Sequence, residues 1–181
     1  MRIRTMARCA LLTALLCLCA WISIPLGDIS ITAQTFGLFL TLGLLGGKAG
    51  TLVCLLYLLL GAAGLPVFSG FRGGLGTLLG TTGGYILGFL ASSLVYWLIT
   101  VLFGQRLPVR IGGALLGLCV CYGFGTLWFA LLWLDAGSTL SLGLILTKCV
   151  LPFLIPDLIK LFAALATAEK LKKHITPSPG A

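Results

Sequence analysis

Long apolar runs follow one another almost without a break from Ala7 to Ala168, and most charged side chains fall in the short links between them. About 20 such residues, coiled as a helix, span the hydrocarbon core of a bilayer. No water reaches that core to satisfy backbone N–H and C=O groups, so each run must pair its own backbone. The chain is therefore expected to be an all-α membrane protein in direct contact with the lipid bilayer. Only 9% of its residues are charged, against about 25% in a soluble domain. The 181 residues leave no room for a sizeable extramembrane domain once about six spans are drawn.

Hydropathy predicts six crossings: Ala7–Ile24, Ile29–Gly46, Ala49–Leu65, Gly83–Phe103, Ile111–Leu134 and Leu142–Ala168. The second is the weakest, because its firmly apolar part begins only near Phe36. Residues 1–175 form one six-helix domain in this reading, and 176–181, with Pro177 and Pro179, is expected to be a disordered end. With the N-terminus inside, the cytoplasmic ends carry Arg2, Arg4, Arg8, Lys48, Arg106, Arg110, Lys170, Lys172 and Lys173, and Arg72 alone lies outside. Lys and Arg in short loops set orientation, so both termini are expected in the cytoplasm. The basic excess thus reflects topology. No basic array interleaved with aromatics exists to suggest nucleic acid.

The first apolar run follows Arg2, Arg4 and Arg8 but lacks a clean small-x-small cleavage site, so a retained first helix is expected. The seven cysteines all fall in apolar runs, with no CxxC pair and one histidine, His174, in the basic tail. No metal site follows, and they read as small buried hydrophobes. Asp28, Asp135, Asp157 and Glu169 are scattered over different depths, and Ser69, Ser92 and Ser93 have no histidine at membrane depth to activate them. Neither a catalytic residue nor a cofactor is expected, and an enzyme is not.

Two opposite charges, Asp157 and Lys160, stand near the middle of the last span. Residues three apart share a helix face, and an ionisable group at membrane depth marks a binding or transport site by default. The alternative is an ion pair that only fixes packing. Pro152 and Pro156 precede the acid, so the span is expected to kink or break, with a new helical segment starting at Pro156. Lys148, nine residues before Asp157, either snorkels to the outer interface or points into the same space.

The two outer links do not look helical. Pro25–Thr35 mixes Pro25, Gly27, Asp28, Thr32 and Gln34, and residues 61–88 hold ten of the 25 glycines. Non-helical backbone at membrane depth must line a cavity or be covered by protein, so the two links are expected to cap a pocket. Gly73-Gly74-Leu75-Gly76-Thr77-Leu78-Leu79-Gly80 lacks the Gly-Lys-Ser/Thr of a nucleotide loop. Ala7, Ala10 and Ala14 give the first helix a face of small residues, suited either to docking or to internal packing.

Together these segments resemble the BioY family, the biotin-specific S components of energy-coupling factor (ECF) transporters. The resemblance runs over roughly residues 5–173. It rests on Ile31-Thr32-Ala33-Gln34-Thr35, Leu44-Leu45-Gly46-Gly47-Lys48-Ala49-Gly50, Gly64-Leu65-Pro66-Val67-Phe68, Gly73-Gly74-Leu75-Gly76 and Gly80-Thr81-Thr82-Gly83-Gly84-Tyr85. Gly125-Thr126-Leu127-Trp128-Phe129 and the segment from Pro152 to Lys160 complete the set.

The resemblance implies a six-helix S-component fold in a bacterial plasma membrane. It implies capture of biotin outside and delivery inward through a transmembrane coupling subunit and two cytosolic ATPases. It assigns Asp157 and Lys160 to the biotin head group, Thr32, Gln34, Gly73, Gly74 and Tyr85 to the lid and pocket loops, and Ala10 and Ala14 to docking. The apolar ring and tail would suit the surface around Phe68 and Trp128. Phe71-Arg72 replaces part of a more glycine-rich loop, Thr81 stands where a proline is usual, and Pro156 where a glycine is common. Arg72 thereby becomes a candidate partner of the biotin carboxylate. Other readings of the same residues are an S component for another vitamin, a secondary transporter with Asp157 as proton carrier, and a structural subunit.

Overall fold

The computed structural model describes residues 3–26, 29–135, 147 and 150–175. Lys148, the start of the predicted last span and the C-terminal segment 176–181 lie outside the described residues. Helix α1 (Ile3–Trp21) leads into a two-stranded antiparallel hairpin, β1 (Ser23–Leu26) and β2 (Ile29–Thr32). A continuous helical run, Gln34–Ala62, follows, with Gly46 at φ 78°, ψ 175° inside it. That conformation is open almost only to glycine, and here it turns the chain back on itself. A side chain at Gly50 would stand 3.1 Å from the Leu42 Cα, a pair about 12 Å apart in a straight helix. The run is therefore two helices, α2 (34–45) and α3 (47–62).

A loop with a single 3₁₀ turn (Ser69–Phe71) and a short helix α4 (Leu75–Leu79) come next, then α5 (Gly83–Phe103), α6 (Leu107–Asp135) and α7 (Leu151–Ile175). Five continuous helical runs among the described residues are long and apolar enough to cross a membrane, and the fold at Gly46 makes six helices of them. Helices α5 and α6 pack along each other, while α1, α5 and α7 all pack on the α2–α3 hairpin. A core of Leu16, Leu38, Phe39, Leu42, Cys54, Tyr57, Phe68, Tyr96 and Leu161 fills the centre.

Three expectations need correction. The predicted span Ile29–Gly46 is not one helix: Ile29–Thr32 pairs with Ser23–Leu26 in the register Ser23↔Thr32, Ile24↔Ile31. Helix α2 proper rises only about 18 Å, short of the roughly 30 Å hydrocarbon core. The first helix likewise ends at Trp21, before the predicted Ile24. Helix α7 starts at Leu151 and runs through Pro156, so no new segment begins there. Pro152 occupies the first turn, where a missing N–H costs nothing, and Phe153 and Leu154 both donate to the Val150 carbonyl. The fourth span matches its predicted bounds, Gly83–Phe103.

The helix directions gather the cations at one end. Arg4 and Arg8 open α1, Lys48 follows the Gly46 reversal, Arg106 and Arg110 open α6, and Lys170, Lys172 and Lys173 close α7. The hairpin and Arg72 lie at the opposite end.

Candidate functional site

The hairpin end encloses a cavity of about 280 Å³. Strand alternation aims one face of the hairpin at it: Ser23, Ser30 and Thr32 line the cavity, whereas Ile24 is 64% exposed. Gln34 and Thr35, the first residues of α2, lie against it too. The α3–α5 link contributes Phe68, Ser69, Gly70, Arg72, Thr77 and Thr82. The apolar wall comes from Ile86, Phe89, Leu118 and Phe153. Close approach fixes two of the rings: a Cβ at Gly61 would collide with the Phe68 ring, and one at Gly125 with the Tyr85 ring.

At its buried end stands Asp157, only 8% exposed. The Tyr122 hydroxyl donates to its Oδ2 at 2.6 Å, and the Lys160 ammonium pairs with its Oδ1. Lys160 Nζ also donates to the Thr32 carbonyl at 2.7 Å, joining α7 to the last residue of β2. Thr32 in turn donates through Oγ1 to Gln34 Oε1 at 2.9 Å, and Gln34 Nε2 donates to the Tyr57 hydroxyl at 2.6 Å. Every polar side chain in this chain of contacts has a partner, as buried polar groups require.

The loop opposite the hairpin is stapled to the end of α1. Trp21 Nε1 donates to the Pro66 carbonyl at 2.8 Å, and its ring stacks on Phe71 at 5.0 Å between centroids. Phe71 sits at φ 57°, a left-handed conformation that costs a non-glycine residue roughly 1–2 kcal/mol. Arg72, the next residue, is exposed and lines the cavity. Its guanidinium pairs with no carboxylate among the described residues.

The structure thus brings Asp157, Tyr85, Arg72, Phe68, Thr32 and Gln34 to one cavity, and leaves Lys160, Gly73, Gly74 and Trp128 outside its lining. Lys160 is turned to Asp157 and Thr32. Trp128 Nε1 donates to the Gly80 carbonyl at 3.1 Å and supports the lining from behind. Gly73 accepts at its carbonyl from Thr77. Ala10 and Ala14 are both exposed on one face of α1. Sequence reasoning missed Tyr122, a lone phenol in an apolar run, and the serines of the hairpin. The hairpin carried a signal: Gly27-Asp28 between two short alternating runs.

A second polar cluster lies at the basic end. Arg110, only 3% exposed, donates through Nε to the Tyr96 hydroxyl at 3.1 Å and through Nη2 to the Gly43 carbonyl at 2.8 Å. It also pairs with Glu169. The cluster ties α2, α5, α6 and α7 together.

Comparison with known proteins places this architecture. The BioY family model matches residues 1–177. The biotin transporter BioY of Thermotoga maritima is 38% identical over 94% of this chain and 96% of its own. The probable biotin transporter BioY of Pyrococcus horikoshii is 37% identical over 95% and 98%. The crystal structure of the S-component for biotin from an ECF-type ABC transporter superposes with a TM-score of 0.81 at 25% identity, over 95% of this chain and 92% of that one. Another ECF S component, at 15% identity and a TM-score of 0.64, shares the fold. A family model matched over nearly the whole length, and relatives covered from end to end, make this multi-pass membrane protein a member of the BioY family.

Proposed function

We propose that this chain is a biotin-binding S component of an ECF-type importer in a bacterial plasma membrane, capturing biotin outside and releasing it inside. The observation that carries the reading is the polarity of the cavity. It has a carboxylate acceptor, Asp157, at the buried end, an apolar wall, and at the exposed end the Arg72 guanidinium, which pairs with no carboxylate among the described residues. Biotin has the same order of parts: a urea with N–H donors, an apolar bicycle and chain, and a carboxylate. Asp157 would accept from the urea, Phe68, Ile86, Phe89 and Phe153 would cover the bicycle, and Arg72 would meet the carboxylate.

The cations gathered at the Gly46 end favour a cytoplasmic location for that end, so the hairpin end and its cavity would open outward. The exposed Ala10/Ala14 face would dock against a transmembrane coupling subunit, with two cytosolic ATPases driving release. Uptake would therefore need those partners.

Calorimetric titration of the purified protein with biotin tests the reading. Saturable binding that Asp157→Asn weakens at least tenfold is expected, because a charged hydrogen bond contributes about 1.5–3 kcal/mol. Absence of binding by the wild type would sink it. So would an unchanged affinity in Asp157→Asn, or a clear preference for another vitamin.

A further inference from the structure

We infer that the buried end of the cavity is a charge-balanced anchor, with Tyr122 and Lys160 as positioning residues, that takes an N–H from a neutral head group and rejects a cationic head group of the same shape. The inference rests on the biotin reading and deepens it. A carboxylate offers about four acceptor directions. In Asp157 one on Oδ1 is taken by Lys160 and one on Oδ2 by the Tyr122 hydroxyl at 2.6 Å. Asp157 and Tyr122 line the cavity and Lys160 does not, so the acceptor capacity left on Asp157 is available to a group bound there.

The charges decide the selectivity. Asp157 and Lys160 sum to zero, and both are largely buried, their side chains 11% and 18% exposed. Among the described lining residues the other charge is Arg72, a second cation. A neutral N–H donor entering here completes the carboxylate's bonding without adding charge. A cation must give up its hydration with no net counter-charge to meet it, which is unfavourable at low dielectric. Lys160 also cannot move aside freely, because its ammonium holds the Thr32 carbonyl at 2.7 Å.

The pair of ligands that isolates this effect is biotin and 2-iminobiotin, whose guanidine is protonated at neutral pH while the bicycle, chain and carboxylate stay the same. Dissociation constants for both are measured calorimetrically at pH 7 on the wild type, Tyr122→Phe and Lys160→Met. The wild type is expected to prefer biotin by roughly tenfold or more, the scale of a charged interaction lost. Lys160→Met, which leaves Asp157 uncompensated, should shrink or reverse that ratio. Tyr122→Phe, which strips one donor from the carboxylate, should weaken biotin about tenfold and shift the ratio in the same direction.

Equal binding of the two ligands by the wild type overturns the inference. Variants that weaken both ligands by one common factor overturn it as well, since a merely structural defect would act that way. If one variant fails to fold, the other and the wild-type ratio still decide. A wild type that binds neither ligand would instead count against the biotin reading itself.

Discussion

Arg110 Nη2 donates to the Gly43 carbonyl at 2.8 Å, reaching back 67 positions to cap the last turn of α2. The last carbonyls of a helix have no partner within it, and a helix ending inside a bundle has no water to supply one. The same guanidinium holds Tyr96 and Glu169, so one side chain closes the basic end of four helices. Arg110→Leu is expected to destabilise the detergent-solubilised protein by about 2–3 kcal/mol through the orphaned acceptors. Glu169→Gln should cost less than about 1 kcal/mol, because that side chain is 36% exposed. Thermal unfolding of both variants checks the order.

Gly46 and Gly112 form a matched pair. A Cβ at either meets nothing within 4 Å, but only Gly46 has a positive φ. Gly46→Ala should therefore cost about 1–3 kcal/mol of pure backbone strain. Gly112→Ala, inside α6, should be neutral or stabilising by up to about 1 kcal/mol. Equal melting temperatures for the two would contradict the assigned reversal.

Trp21 holds the α3–α5 loop by one hydrogen bond and one ring stack. Trp21→Phe keeps the stack and removes the bond to Pro66. With a bond of this kind contributing about 0.5–1.5 kcal/mol, dissociation of labelled biotin in a chase experiment should quicken roughly 2–10-fold. An unaltered off-rate would mean that the loop is held by its other contacts.

Arg72 and the ligand carboxylate can be tested against each other. Arg72→Gln should weaken biotin roughly tenfold, and replacing biotin by its amide should weaken the wild type similarly. Binding of the amide by Arg72→Gln should then show little further loss, the non-additivity expected of groups in contact. Fully additive losses would separate Arg72 from the carboxylate.

Tyr57→Phe leaves Gln34 Nε2 without its acceptor at a residue 4% exposed. A loss of about 1–3 kcal/mol is expected, while the edge contact of ring 57 with Phe68 persists. Adding Gln34→Met to that variant should recover part of the loss, since replacing both partners by apolar groups is close to neutral. Calorimetric or fluorescence melting of the single and double variants reads it directly.

The helices were legible because a bilayer admits little else: apolar length alone located α5 at Gly83–Phe103. Asp157 was legible for a related reason, as one of few charges at depth. What escaped were features set by partners distant in sequence. Ile29–Thr32 reads as the start of an apolar run until Ser23–Leu26 pairs with it. Tyr122 acquires its meaning only from a carboxylate 35 residues away. Arg110 reads as one more cytoplasmic charge, yet it is buried against Gly43 and Tyr96. Lys160, adjacent to the acid on the helix face, is drawn to a strand carbonyl 128 positions earlier, which no local spacing reveals.

Helix α2 stops about 12 Å short of the bilayer's hydrocarbon thickness, and the cavity begins at its first residues, Gln34 and Thr35. The bundle therefore contains a column that the polypeptide fills only in part. A ligand seated there would do more than occupy a receptor: it would stand in for missing turns, an interior component supplied from outside. Loading would then be the last step of assembling the protein.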